Sequence, residues 1–329
     1  MLASRRHGLV AATLLAWVAA SVVSGCGARH RSEAPAHARD FVEALPPGAT
    51  FVVLGHADRL RSEPATARVV DAVFDDALRA AVGRRLGIEP GVVERFAFVA
   101  YEPGYLVIVE GRTLDARSAV RSLGAGMNTV ELETDVPYVR RVGFRGAERM
   151  EAVALADRVV ALGGENGGPM VELLARWSGR RAGPSLLGTD DGRALLATHG
   201  EAPLAVLAPT PLDLPVEQGG LALLLARHRA LGGSLRADGA DRLRLVVTVL
   251  GELPPGADAN LGTFVRDLAL SDLGDLFGMR AALPTLTTHA DAGSGRVELS
   301  LSADALAQGL RDVLVADLRT IGASEPPSR

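Results

Sequence analysis

The sequence predicts an α+β fold of two similar lobes, each an antiparallel sheet packed with helices. Three observations carry that expectation. Short apolar runs bounded by Pro, Gly and Asp alternate with stretches whose apolar residues recur at i, i+3 and i+4. The strands come in adjacent hairpin pairs, which antiparallel pairing permits and a parallel crossover does not. Matching elements of the two halves lie 137 to 152 positions apart. That spacing reads either as a duplicated β-α-ββ-α-ββ unit or as coincidental alternation of helix and strand.

The elements follow in order. Leu45-Pro46-Pro47-Gly48 turns into the apolar run Phe51 to Gly55, a strand. Ser62 and Pro64 supply the cap and first turn of a helix over 64–84. Val69, Val70, Val73, Phe74, Ala77, Leu78, Ala81 and Val82 make its apolar stripe, against Asp71, Asp75, Asp76 and Arg79. Arg95 to Tyr101 and Tyr105 to Glu110 pair as a hairpin, with Pro103-Gly104 suited to the centre of a type II turn. A short helix spans Leu114 to Leu123. Strands near 129–135, 138–145, 150–156 and 158–163 read as a meander, and helices over 168–177 and 189–198 connect the halves.

The second half starts with the strand Pro203 to Leu207 and a helix over Glu217 to Leu231. A hairpin over 233–250 turns at Asp238-Gly239. A helix over Asp258 to Phe277 and strands at 280–288 and 295–301 complete it. The predicted boundaries are a signal peptide over 1–25, a lipidated cysteine and tether over 26–40, lobes over 41–184 and 185–321, and a loose tail over 322–329.

Composition excludes much chemistry. All 35 basic residues are arginine, so no P-loop lysine and no Schiff-base lysine exist. A single cysteine, Cys26, rules out an intrachain disulfide and a Cys-rich zinc site. The formal charge of −4 becomes −6 once Arg5 and Arg6 are removed with an acid-free leader, which leaves no electrostatic footprint for nucleic acid. Aromatic residues are 4% of the chain, too few for surfaces that stack on bases.

The amino terminus carries an address. Arg5, Arg6 and His7 precede sixteen uncharged residues, Gly8 to Val23, the length of a signal h-region and short for a membrane span. The run ends in Val23-Ser24-Gly25-Cys26, which resembles the bacterial lipobox. That resemblance implies cleavage before Cys26 and a diacylglycerol on its thiol, an anchor worth about 0.8 kcal/mol per buried CH₂. Ser4-Arg5-Arg6 also looks like the start of a twin-arginine signal, but Gly8 stands where a bulky residue is usual, so the general secretory route is expected. Gly27 after the cysteine, in place of an aspartate that would resemble an inner-membrane retention signal, points to the outer membrane. Residues 27–40 lack apolar periodicity and read as a leash reaching at most about 45 Å. The expected partner is therefore the membrane, through Cys26, together with an apolar ligand or an envelope protein.

Several stretches resemble an uncharacterised family of bacterial secreted and lipoprotein domains. They are LPPGATFVVLG at 45–55, LGIEPGVVERFAFVAY at 86–101, YVRRVGFRGAERMEAVALADRVVALGG at 138–164 and Pro184-Ser185-Leu186-Leu187. The likeness covers about residues 44–200. It implies an α+β envelope domain and brings no catalytic residues with it.

Candidate chemical groups each have a plainer role. Gly163 to Gly168 is glycine-rich before a helix and can cradle an anion, but Glu165 would repel a phosphate, so a strand-to-helix turn is expected. Thr189-Asp190-Asp191 reads as a cap with two acids in a first turn. Glu131, Glu133 and Asp135 share one strand face, as an exposed face or a cation ladder. His56, His199, His228 and His289 are singly placed, and Ser185 misses the G-x-S-x-G elbow. Arg140-Arg141 and Arg180-Arg181 are expected on solvated surface. No catalytic, metal or cofactor residue is assigned, and Cys26 is the one site. The expected role is binding or structure at the envelope without catalysis. The alternatives are a carrier or sensor of apolar ligands and a hydrolase with a dispersed Ser/His/Asp site.

Overall fold

The computed structural model describes residues 40–73, 76, 79–80, 83, 88–125, 128–131, 139–145, 148–211 and 227–322. Helix α1 (Phe41–Ala44) opens them, followed by β1 (Phe51–His56), α2 (Ala57–Ser62) and α3 (Pro64–Val73). β2 (Arg95–Tyr101) and β3 (Gly104–Glu110) form the expected hairpin, and α4 (Ala116–Ala125) comes next. β4 (Asn128–Glu131), β5 (Val139–Arg145), β6 (Glu148–Ala156) and β7 (Val159–Gly164) make the meander. Helices α5 (Gly168–Trp177) and α6 (Asp190–His199) connect the halves. β8 (Leu204–Ala208), β9 (His228–Ala237) and β10 (Arg242–Gly251) lead to α7 (Ala257–Leu270), α8 (Asp272–Leu276) and α9 (Met279–Ala282). β11 (Thr287–Ala290), β12 (Ser294–Ser302) and α10 (Ala303–Gly322) complete the described elements.

All twelve described strands belong to one antiparallel sheet, ordered β11-β12-β10-β9-β8-β1-β2-β3-β7-β6-β5-β4. The fold is α+β, and the two predicted halves meet edge to edge. At that seam β1 pairs β8, from Val52 opposite Leu207 to Gly55 opposite Leu204. Outward from it, β1-β2-β3-β7-β6 on one side is matched by β8-β9-β10-β12-β11 on the other. The strand order therefore recurs in space as well as along the sequence.

Helices cover both faces of the central strands. On one face α2, α3 and α4 bury Phe96, Val109, Val120 and Leu123. On the other, α1, α5 and α6 bury Leu45, Ile108, Met170, Leu173 and Leu195. This two-sided burial explains why β7 is buried at every position and reads as a continuous apolar run. Toward β12, the described helices α7 and α9 cover the first of these faces, and β12 alternates cleanly between buried and accessible residues. Gly55 makes room at the centre, because the Phe96 ring occupies the position a Cβ would take.

Several local expectations need correction. The β2–β3 turn is centred on Glu102-Pro103, joined by a cis peptide bond, and Gly104 pairs with Tyr101 at the start of β3. Ser62 ends α2 and does not cap α3; its hydroxyl donates to the Arg59 carbonyl. Val73 is buried as expected, but the Arg79 side chain is only 12% exposed and pairs with Asp71 and Asp76, so it is no simple solvated residue. Phe74, Asp75, Ala77, Leu78, Ala81 and Val82 lie outside the described residues. So do most of the helix predicted over 217–231 and all but Glu131 of the acidic ladder. Residues 228–231 belong to β9.

The long helix predicted over 258–277 is broken. Ser271 takes an extended conformation and caps α8 by accepting from the Gly274 N–H at 3.2 Å. The predicted strand at 280–288 is instead α9 and a 3₁₀ turn, with strand beginning only at Thr287. Pro284 lies in that turn, where it withholds no ladder donor. Thr189 caps α6 as predicted, its Oγ1 accepting from the Gly192 N–H at 3.0 Å. Thr189→Ala should lower stability by about 1 kcal/mol in a denaturant titration, and an unchanged midpoint would show that the cap is idle.

Candidate functional site

The described residues enclose a cleft of about 130 Å³ where the first of them, Asp40 to Val42, meet the sheet. Three pieces of sequence build it. β1 and β2 supply Leu54, His56, Arg95 and Phe96; α6 and the turn after it supply Leu196, Gly200 and Glu201; the first residues of the fold, Asp40 to Val42, form the third wall. The floor is apolar and the rim is polar. The His56 ring donates from Nε2 to the Gly200 carbonyl at 2.9 Å, and the Arg59 guanidinium donates to the carbonyl of Glu201.

Arg95 organises the rim. Its Nη2 lies 3.0 Å from both oxygens of Asp40, and its Nη1 lies 3.2 Å from Glu110 Oε2. The same guanidinium sits 4.7 Å from the centre of the Phe41 ring, a cation–π contact. Burial holds the Glu110 carboxyl above its ordinary range, opposed by the nearby Arg95 charge. One arginine thus holds two carboxylates and one aromatic ring.

A second polar cluster lies inside the fold. His199, at the end of α6, is fully buried and touches two hydroxyls: Ser234 Oγ at 2.8 Å from Nδ1 and Thr248 Oγ1 at 3.0 Å from Nε2. Burial first, and then the charges of Arg236 and Arg296, bring its pKa down to about 4, so the ring is neutral at pH 7. Gly232 leaves the space the ring fills, with His199 Cδ2 2.7 Å from where a Cβ would sit. The pair His199–Ser234 has the spacing of a base and a hydroxyl nucleophile. The group at the other ring nitrogen is a threonine where a Ser-His-Asp site needs a carboxylate, and Ser234 and Thr248 are buried as well. This geometry fits a satisfied core histidine.

The other sequence candidates are placed as follows. Cys26 lies outside the described residues. Gly163 to Gly168 is the turn from β7 into α5; Glu165 adopts a φ of 58°, and Asn166 Oδ1 accepts from the Gly168 N–H at 2.9 Å. Asp191 pairs with Arg229 and Asp190 with Arg193. Ser185 sits in a tight turn closed by the Gly188 N–H to its carbonyl. His228 is buried and His289 lies on edge strand β11 opposite Arg296.

Arg140 departs from expectation. Its side chain is 15% exposed and reaches Glu151 at 2.6 Å, while Arg149 reaches the same carboxylate at 3.0 Å. The Glu151 side chain is fully buried between them. Sequence reasoning passed over this triad, although one acid inside the otherwise apolar run Met150 to Ala156 was a usable signal. Arg180 and Arg181 do bond to surface groups, Ser178 and Glu172.

Among the described residues no group of three His, Cys, Asp or Glu side chains is arranged to hold a metal, and no helix is long and apolar enough to cross a membrane. No family model matches the chain, and no curated protein matches it. The fold is similar to solved structures of TP0453, a bacterial (Treponema) protein. Crystal form III has a TM-score of 0.50 at 12% identity, covering 84% of this chain and 99% of that one. Crystal form I has a TM-score of 0.45 at 11% identity, covering 83% and 97%. At such identity the likeness concerns the fold alone.

Proposed function

We propose that the chain is a lipid-anchored protein of the bacterial cell envelope that works by binding, without catalysis. The observation that carries this reading is the position of the only cysteine, directly after Val23-Ser24-Gly25 and an uncharged run of lipobox type. Thirteen residues then separate Cys26 from Asp40, where the described fold begins. A leash of that length keeps the body within about 45 Å of the bilayer. Metabolic labelling with a fatty-acid probe is expected to mark the wild type. Cys26→Ala should lose the label and leave the membrane fraction, and equal labelling of both chains would refute the anchor.

The carrier reading, in which the bound partner is apolar, is favoured by one observation. The cleft is lined by the apolar side chains of Leu54 and Leu196 beside the basic Arg95. A hydrolase has only the His199–Ser234 contact in its support.

A further inference from the structure

We propose that the last turn of α6 is a movable wall of the cleft, latched to the sheet by His199 at neutral pH and released in acid. This device is independent of what the cleft takes up and of the anchor at Cys26.

The wall runs from Leu196 to Glu201 and supplies Leu196, Gly200 and Glu201 to the cleft lining. It hangs between two fixed points, Leu195 and Ala202, both buried. Within the wall only His199 is buried; Leu196 is half-buried, and Ala197 and Glu201 are exposed. The ring ties the wall to two strands at once, meeting Ser234 of β9 at 2.8 Å and Thr248 of β10 at 3.0 Å. Three outer bonds add to it. Arg236 donates to the Thr198 carbonyl, His56 to that of Gly200 and Arg59 to that of Glu201. These lie in partly or fully exposed positions, where a hydrogen bond exchanged with water contributes little.

The latch has no means of holding a charge. Two charged groups act on the ring, Arg236 from β9 and Arg296 from β12, and both are positive. Arg296 is paired with Glu298, whereas the Nε of Arg236 is buried without a hydrogen-bond partner. The acids of α6, Asp190 and Asp191, stand in its first turn, about 12 Å away along the axis. β8 has no titratable side chain, and Arg244 of β10 is paired with Asp238 and Glu298. Ser234 and Thr248 can still accept from an imidazolium, so the penalty of protonation is desolvation and repulsion by the two cations, not lost bonds. Swinging the wall outward hydrates the ring and removes that penalty, so proton uptake favours the open wall. His56 of β1 behaves differently: once protonated it still donates from Nε2 to Gly200, and acid leaves its bond in place.

Hydrogen exchange of the Leu196–Ala202 amides in the full chain at pH 7 and pH 4.5, corrected for intrinsic rates, tests this. The wall is expected to be less protected than β2 and β3 at both pH values. Its protection should fall about fiftyfold between them, for a ring that titrates near 6.5 when open and at about 4 when latched. His199→Gln should show the same wall protection at both pH values, with β2 and β3 reporting that the variant is folded. Arg236→Gln, which removes one facing cation, should shrink the fall, and His56→Gln should preserve it. An undiminished fall in His199→Gln or in Arg236→Gln overturns the proposal. So does equal protection of the wall and of β2 and β3 at both pH values, because acid then acts on the whole fold and no latch exists.

Discussion

Glu151→Ala is expected to cost about 3–5 kcal/mol, the usual loss when one partner of a buried ion pair is removed. The carboxylate is fully buried and both its oxygens are used, Oε1 by Arg140 and Oε2 by Arg149. Neither guanidinium has an easy route to water, since their side chains are 15% and 29% exposed. Truncation therefore leaves two cations facing each other across the β5–β6 ladder, where Val142 lies opposite Glu151. Against a typical total stability of about 5–15 kcal/mol, that is roughly a fifth or more. Chemical denaturation checks it. Replacing all three residues by apolar ones of similar size should restore most of the loss, because a buried triad adds little net stability over well-packed hydrophobic side chains. If Glu151→Ala unfolds within 1 kcal/mol of wild type, these charges are hydrated and the burial argument fails.

Acid should destabilise the fold through His199. Its pKa is about 4 in the native state, below the ordinary 6.5 of the unfolded chain, so the unfolded state binds the proton more readily. The stabilisation is fully present above pH 6.5 and is lost progressively as pH falls from there to about 4. At 1.36 kcal/mol per unit the loss over that window is about 3 kcal/mol. His199→Gln keeps hydrogen-bonding groups for Ser234 and Thr248 but cannot take up charge. Unfolding free energies measured between pH 7 and pH 4 should fall more steeply in the wild type than in this variant. Parallel slopes would show that the ring does not titrate against folding.

Much of the local structure was legible in the sequence, and the reasons are physical. The β2–β3 pair is two apolar runs separated by a turn, and α5 and α6 have the start chemistry of helices, Pro169 in the first turn of one and Thr189 capping the other. Each of these signals lies within a few residues of its effect. The errors came where local signals compete. Ser271 can continue a helix or cap a new one, and Gly274, packed against Leu268 and Ala269, tips it toward the cap. The candidate site was not legible. It joins Asp40, Arg95 and Gly200, residues brought together only by long-range pairing. Arginine pairs read from sequence as surface divide once the sheet forms, Arg140 turning inward to Glu151 and Arg181 staying out. His199 looked like any solitary histidine, and only Gly232 in the facing strand hinted that a ring would lie there.

The pairing of β1 with β8 also governs how the protein meets other chains. Two separate sheets would present four open edges, each a row of unpaired backbone donors and acceptors able to recruit a strand from a neighbour. Among the described residues, fusing them at the seam leaves two, β4 and β11, with four described residues in each. Such short edges offer little template for cross-β growth. The twelve described strands thereby show no more aggregation-prone border than a small sheet would.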